Sequence, residues 1–179
     1  MANEIAASGT EPLIIVGFEL GGEAYGIPIN CVREIIRKPE ITRIPQAQPG
    51  VIGIKDLRGT VIPMLDLAFL LGMEPGEEKA GKVVIVEDES MTVGLLVEEV
   101  NEVQAVLPDE ISRPAVIGVD AGGSAVSGIA KRGDRLLKVL NWHHAVSGRV
   151  LEELASVEDI AAESDCCELL PVGCGNEQG

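Results

Sequence analysis

Two histidines, four cysteines, paired glycines and clustered carboxylates are the residues of this chain whose types could carry chemistry. His143 and His144 adjoin Trp142, but adjacent side chains project in different directions and no Ser, Cys or acidic motif is spaced to work with them. A surface or lobe-closing pair is the plainer reading. Cys166, Cys167 and Cys174 form a Cys-Cys-x6-Cys cluster that a soft metal could use, yet the spacing is not that of a zinc knuckle and no His is near. Reduced thiols are expected there, and Cys31, inside an apolar stretch, reads as a small core residue. Gly21-Gly22 and Gly122-Gly123 are not followed by Lys-Ser/Thr and do not fall in a G-x-G-x-x-G frame, so no phosphate loop is indicated. Glu87-Asp88-Glu89 and Glu98-Glu99 lie at strand ends, where solvated charge is the ordinary reading. The expectation is a protein with no catalytic residues, no metal and no cofactor.

One segment stands apart, Gly53-Ile-Lys-Asp-Leu-Arg-Gly-Thr-Val-Ile-Pro-Met-Leu-Asp-Leu67. A strand ends in a turn at Arg58-Gly59 and a second strand leaves, which presents a guanidinium, with its fixed fork of donors, at a rigid corner. Two readings stand level: a contact residue, or a structural arginine that satisfies turn carbonyls.

The elements that must position these residues read as β structure. Leu13-Ile-Ile-Val16 and Val83-Val-Ile-Val86 are short β-branched runs of the kind that form buried strands. Val93, Leu95 and Val97 alternate, and Val61-Ile-Pro-Met-Leu65 follows the Gly59 turn, with Pro63 placing that strand at a sheet edge or a bulge. Gly and Pro punctuate the chain about every 8 to 12 residues, the cadence of a small all-β barrel or sandwich. Val97, Val100, Val103 and Val106 recur every third residue, which suits a helix, but the segment is β-branched and a long bent strand is favoured.

A weak internal repeat organises these strands. Gly26 to Ile35 aligns with Gly94 to Val103 at an offset of 68, and Gly53 to Leu67 aligns with Gly128 to Trp142 at an offset of 75. Both matches run in the same order, so two related lobes are expected, about 13–72 and 82–147, within a domain spanning 13–149. Leu151, Leu154, Val157, Ile160 and Ala161 predict a helix over 151–163, with disorder beyond it.

The net charge of −15 comes from 14 Lys+Arg and 29 Asp+Glu. Residues 1–12 hold two of the acids and residues 150–179 hold eight, with no base in either, so the middle carries 14 bases against 19 acids, a net of −5. The ends read as solvated arms and the middle as the folded part. An acidic chain with four aromatics and no run of bases is not built to bind nucleic acid or an anionic membrane surface. No apolar run approaches the roughly 18 residues that span a bilayer, and residues 1–12 lack a basic and an apolar region of the secretory type; a cytoplasmic protein is expected.

With these residues in view, the chain resembles the CheW family, the coupling proteins of bacterial chemotaxis arrays. The resemblance rests on Gly22-Glu-Ala-Tyr25-Gly26-Ile-Pro28-Ile29 with Val32-Arg-Glu34-Ile35, on Thr42-Arg-Ile44-Pro45, on the Gly53–Leu67 segment, and in the second half on Val83–Val86, Val93-Gly94-Leu-Leu-Val97 and Gly128-Ile-Ala-Lys-Arg-Gly-Asp134. Two positions depart from the family pattern: Asp56 stands where Asn usually precedes Leu-Arg-Gly, and Val97-Glu98-Glu99-Val100 where Val-Asp-x-Val is usual.

The resemblance implies an all-β fold of two SH3-like five-stranded β-barrel lobes that share a hydrophobic core, with short helices. It implies a non-catalytic adaptor that joins the cytoplasmic tips of methyl-accepting chemoreceptors to the regulatory domain of the histidine kinase CheA, in arrays at the membrane. A helical receptor tip in a groove between lobes needs exposed aliphatic side chains, for which Val32, Ile35, Val83, Val100 and Val103 are candidates beside a core reading. Glu34, Arg58 and Arg113 are candidate rim charges, and Gly53 belongs to the same surface. Two alternatives remain open: a CheW-like adaptor of another receptor–kinase pathway, such as surface motility or second-messenger control, and a ligand-binding or enzymatic barrel that uses the groove and the two histidines.

Overall fold

The structure, a computed structural model, describes residues 11–73, 81–113 and 125–147. The expected helix 151–163, the acidic arm and Cys166, Cys167 and Cys174 lie outside the described residues. Among these residues eleven strands and two short α-helices, besides 3₁₀ turns at Ile29–Cys31 and Pro108–Glu110, follow in chain order: β1 (Leu13–Leu20), β2 (Glu23–Pro28), β3 (Val32–Arg37), β4 (Val51–Leu57), β5 (Thr60–Asp66), α1 (Leu67–Leu70), β6 (Lys82–Glu87), β7 (Thr92–Val97), β8 (Glu99–Val106), β9 (Ile111–Ser112), β10 (Val126–Arg132), β11 (Arg135–Leu140) and α2 (Trp142–Ser147). The all-β expectation holds, and the Val97–Val106 stretch is strand rather than helix.

The strands form two sheets, ordered β8-β1-β2-β11-β10-β9 and β3-β6-β7-β5-β4. This order corrects the expected lobe boundaries of 13–72 and 82–147. The β1–β2 hairpin of the first half sits between β8 and β11 of the second, and the β6–β7 hairpin of the second half sits between β3 and β5 of the first. The reason is that each hairpin needs two flanking partners, and it finds them in the other half: β2 pairs in parallel with β11 and β5 with β7.

The repeat itself survives, residue by residue. Ile15 pairs with Pro28 and Val83 with Leu96; Phe18 pairs with Val100 and Val86 with Val32; Met64 pairs with Gly94 and Val139 with Gly26. Each second pair is the first displaced by the sequence offsets. Even the irregularities repeat, since the register shifts between Val51 and Gly53 and again between Val126 and Gly128.

Each lobe also closes on itself. In the first-named sheet the chain passes from edge strand β8 to edge strand β9, and Arg132 on β10 donates to the Ala105 carbonyl of β8. In the other, Thr42, just beyond edge strand β3, bridges to Ile54 on edge strand β4.

The core has three parts because strand side chains alternate between faces. Ile15, Val106, Ala130, Leu137 and Val139 fill one lobe, and Ile62, Met64, Val83 and Ile85 fill the other. Between the lobes lies a larger cluster that takes Phe18, Leu20, Tyr25 and Ile27 from one sheet, Val84, Val86, Leu65 and Leu95 from the other, and Trp142 and Val146 from α2. Of the two places expected for Pro63 the structure shows the bulge: β5 lies inside its sheet, between β7 and β4, and not at an edge. Proline is tolerated because the ladder to β7 begins only at Met64, and the β4–β5 bulge ends at Gly53, beside Pro63's partner Ile54.

The aligned glycines Gly26 and Gly94 share one physical cause. A Cβ on Gly26 would fall 2.3 Å from Ile15 Cγ2, and one on Gly94 would fall 2.4 Å from Met64 Sδ. Both alanine variants should be destabilised, by about 1–3 kcal/mol in urea unfolding. Gly26→Ala should cost more, because branched Ile15 is stiff at χ1 whereas the Met64 thioether can turn aside. The reverse ranking would show that Ile15, not Met64, has room to move.

Candidate protein-interaction surface

The Arg58 corner is built by backbone geometry. Leu57 pairs with Thr60, leaving a two-residue loop in which Arg58 has φ 57° and Gly59 φ 87°, as a type I′ hairpin demands. The Asp56 carboxylate accepts the Gly59 N–H at 2.7 Å, so the departure to Asp at this position retains a turn-stabilising acceptor. For a long side chain such as arginine the left-handed region is unfavourable by roughly 1 kcal/mol. The matching residue in the other half is Gly133, with the same φ of 57°. Arginine is thus held where the repeat's own counterpart is glycine.

The Arg58 side chain is 81 % exposed, and its Nη2 donates to Glu34 Oε2 on β3 at 3.4 Å. Its hydrogen bond runs to a carboxylate on a neighbouring strand, and the rest of the guanidinium faces solvent. An open ion pair of this kind adds less than about 1 kcal/mol to stability.

Around it the expected residues divide. Val32 is half-buried and Ile35 is 41 % exposed, both on edge strand β3 with Glu34. Their repeat counterparts Val100, half-buried, and Val103, 54 % exposed, lie on edge strand β8 of the other sheet. Val32 and Val100 both pack onto the cluster between the lobes, so they mark its seam from either side. Arg113 is exposed beyond β9, away from this grouping in the chain.

Two expected surface residues are corrected. Val83 has no exposed surface, because β6 is flanked on both sides within its sheet and Val83 points into the lobe core. Gly53 is buried at the β4 bulge, where a Cβ would meet the Thr42 carbonyl oxygen at 2.2 Å; it serves the backbone. Conversely, Ile29, Phe69, Leu107 and Leu136 are exposed aliphatic and aromatic side chains that the sequence reading passed over. For Leu136 the signal was present, since in β11 it alternates with buried Leu137 and Val139.

The histidines form a geometric echo of a hydrolytic triad. His143 Nδ1 lies 3.0 Å from Ser147 Oγ, and Nε2 lies 3.7 Å from Asp88 Oδ2. The chemistry does not follow, because the Ser147 hydroxyl donates to the His143 carbonyl at 2.5 Å, one turn back on α2, and its proton is committed there. The trio instead ties α2 to the β6–β7 turn. Burial opposes charge on Asp88, but hydrogen bonds from Ser90 and from the Ser90 and Met91 backbone outweigh it, with His143 adding attraction, and its pKa falls below the usual 3.8. A carboxyl depressed in the folded state stabilises above its unfolded pKa and loses that contribution as pH falls through the folded value. Asp88→Asn should therefore flatten the decline of the urea midpoint below about pH 4. Because the side chain is 35 % exposed, the effect should be only a few tenths of a kcal/mol.

Nearby, Lys138 donates to Glu23 and lies over the Tyr25 ring at 5.0 Å. The Lys138 hydrogen bond, with that from Tyr25, holds Glu23 below the ordinary carboxylate range, while burial and then the Glu23 carboxylate push Tyr25 up. This network spans the parallel pairing of β2 and β11 and is structural.

Closed β-lobes with a shared core, exposed aliphatics on two edge strands and a charged corner define a scaffold for protein contacts. Comparison with known proteins places the chain among them. The CheW-like domain family matches residues 15–149, and the protein is a member of that family. The chemotaxis protein CheW of Treponema pallidum is 32 % identical over 156 residues, covering 84 % of this chain and 92 % of its own. That of Thermotoga maritima is 26 % identical over 146 residues, covering 82 % and 92 %. Among solved structures, the scaffolding protein TtCheW from Thermoanaerobacter tengcongensis superposes with a TM-score of 0.68 at 33 % identity, covering 76 % of this chain and 93 % of that one. Membership gives the protein a chemotaxis adaptor role without catalysis.

Proposed function

We propose that this adaptor couples the cytoplasmic tips of chemoreceptors to the regulatory domain of the histidine kinase CheA. The observation that carries the reading is Arg58, an exposed arginine kept in a left-handed turn beside Glu34 and the exposed Ile35 on an edge strand. Aliphatic side chains at the seam and edges supply contact area for a helical tip, and the charged corner fixes orientation and partner choice more than affinity. No helix among the described residues is long and apolar enough to cross a membrane. Co-sedimentation with receptor signalling tips and CheA should yield a ternary complex. Absence of both binary interactions at tens of micromolar would sink the proposal.

A further inference from the structure

The cluster between the lobes covers the face of one sheet only in part. Across β3, β6 and β7 the registers set three rows on the face that looks into it: Val32, Val86 and Val93; Ile35, Val84 and Leu95; Arg37, Lys82 and Val97. The β7 members are buried, and so are Val84 and Val86. On edge strand β3, however, Val32 is half-buried, Ile35 is 41 % exposed and Arg37 is exposed. An apolar step is left open there, bounded at one end by cations.

Those cations are not neutralised. Arg37 and Lys82 stand directly opposite each other on adjacent strands, where like charges repel, and neither makes a side-chain hydrogen bond or ion pair among the described residues. The repeat's counterpart of this pair, Ala105 with Ile14 on β8 and β1, carries no charge. The equivalent edge strand β8 instead exposes Glu99 and Glu102 beside Val103. An acidic, amphipathic occupant is therefore matched to the β3 step and repelled by its counterpart.

A segment with that chemistry lies on the same chain, next to the step. Trp142 and Val146 of α2 pack on this same cluster, and α2 ends at Ser147. His143 lies 3.7 Å from Asp88, just beyond β6, and Arg33, at the start of β3, lies 3.2 Å from the neighbouring Glu87. The chain thus leaves α2 within a few residues' reach of the Val32 end of the step. In 151–163 the stripe of Leu151, Leu154, Val157 and Ile160 is bordered, at 3.6 residues per turn, by Glu153 and Glu158, and the segment holds no base. As a helix it spans about 20 Å, the length of the six-residue strand β3.

We infer that residues 151–163 dock as an amphipathic helix along the open step of β3, with the apolar stripe on Val32 and Ile35 and the carboxylates beside Arg37 and Lys82. Because the segment is tethered by a short linker, its effective concentration is on the order of millimolar, and a weak contact suffices. It covers Ile35, one of the side chains proposed to meet a partner helix, so a partner must displace it. That consequence rests on the role proposed for this surface; the docking does not.

The test uses the full ¹⁵N-labelled chain with a nitroxide on Ser156→Cys, on the polar side of the predicted helix. Cys166, Cys167 and Cys174 are replaced by serine, and Cys31, which is buried, stays. Broadening should centre on the N–H signals of Ile35, Arg37 and Lys82 and persist on dilution. Adding Leu154→Ser and Val157→Ser should weaken the docking about tenfold or more, and Arg37→Glu with Lys82→Glu should weaken it as well. The serine changes lie outside both sheets, so they serve even if the charge reversal fails to fold. Broadening centred on the β8 edge, spread evenly over both lobes, or unchanged in the serine variant would overturn the inference. So would equal broadening when the nitroxide sits on a second, ¹⁴N chain mixed with the ¹⁵N one, which would make a second copy the occupant. In isothermal titration the serine variant should bind receptor tips or CheA's regulatory domain several-fold more tightly than wild type. Localised broadening with unchanged affinity would remove the competition and keep the docking; no localised broadening would remove both.

Discussion

Arg58→Glu is expected to weaken binding to CheA's regulatory domain or to the receptor tip about 10- to 100-fold, or about 1.4–2.8 kcal/mol, while the fold barely changes. The stability side follows from the geometry. The arginine already occupies a left-handed turn position, so glutamate inherits the same backbone cost rather than adding one. The lost 3.4 Å pair with Glu34 is solvent-exposed, and two carboxylates facing one another in water repel by less than about 1 kcal/mol. The binding side follows from exposure: a guanidinium 81 % open to solvent and anchored at a rigid corner offers its donors to a partner with little reordering, and glutamate removes those donors and reverses the charge. Arg58→Gly separates the two effects. It installs the residue that the repeat has at Gly133, relieves the turn, and should leave unfolding by urea within about 0.5 kcal/mol of wild type while binding still falls. Isothermal titration with CheA and receptor tips reads the affinity. Wild-type affinity in Arg58→Gly would remove the guanidinium from the interface.

Much of this arrangement was legible in the sequence, and the parts that were not share a cause. The offsets of 68 and 75 predicted which residues are equivalent, and the paired registers bear that out down to the bulges at Gly53 and Gly128. What alignment cannot carry is which equivalent strand a hairpin chooses as its neighbour, since a strand offers the same hydrogen bonds to either half. The lobes were therefore assigned to consecutive halves when the hairpins in fact exchange places. The three-residue spacing of Val100, Val103 and Val106 imitated a helix for a local reason. Between Val16 and Phe18 the register with β8 shifts, so strict alternation breaks and the valines turn to the inter-lobe cluster, to solvent and to the lobe core in turn. The surface was read less well than the fold because a β-branched residue looks the same on an edge strand and on a central one. Ile35 and Val83 differ in that β3 has one neighbour and β6 has two, and in face, since Ile35 pairs with Val84 whereas Val83 pairs with Ile36 and turns to the lobe core. Arg58 could be singled out because a long cationic side chain before glycine in a tight turn has no use in a core.

The exchange of hairpins makes the largest effect in the molecule the easiest to produce. A single cut within residues 74–80 separates two fragments that each contain every element of one repeat, and neither fragment should fold. The β1–β2 hairpin would lose β8 and β11, and the β4–β5 hairpin with β3 would lose β6 and β7, so four of the strand pairings vanish at once. With them goes the cluster between the lobes, because its buried members come from both sides of the cut: Phe18, Tyr25 and Leu65 on one, Val86, Leu95 and Trp142 on the other. The interior strands thereby become exposed edges lined with β-branched residues, which cannot be buried within either fragment. A domain of this size has only about 5–15 kcal/mol of net stability, far less than the burial lost. Circular dichroism and urea titration of fragments 1–76 and 77–179 should each show no cooperative transition. Mixed in equal amounts, they should regain strand signal and a single cooperative unfolding whose midpoint rises with concentration, as mass action requires of a two-chain fold. A fragment that unfolds cooperatively alone as a monomer by sedimentation would show instead that each repeat is a lobe in its own right.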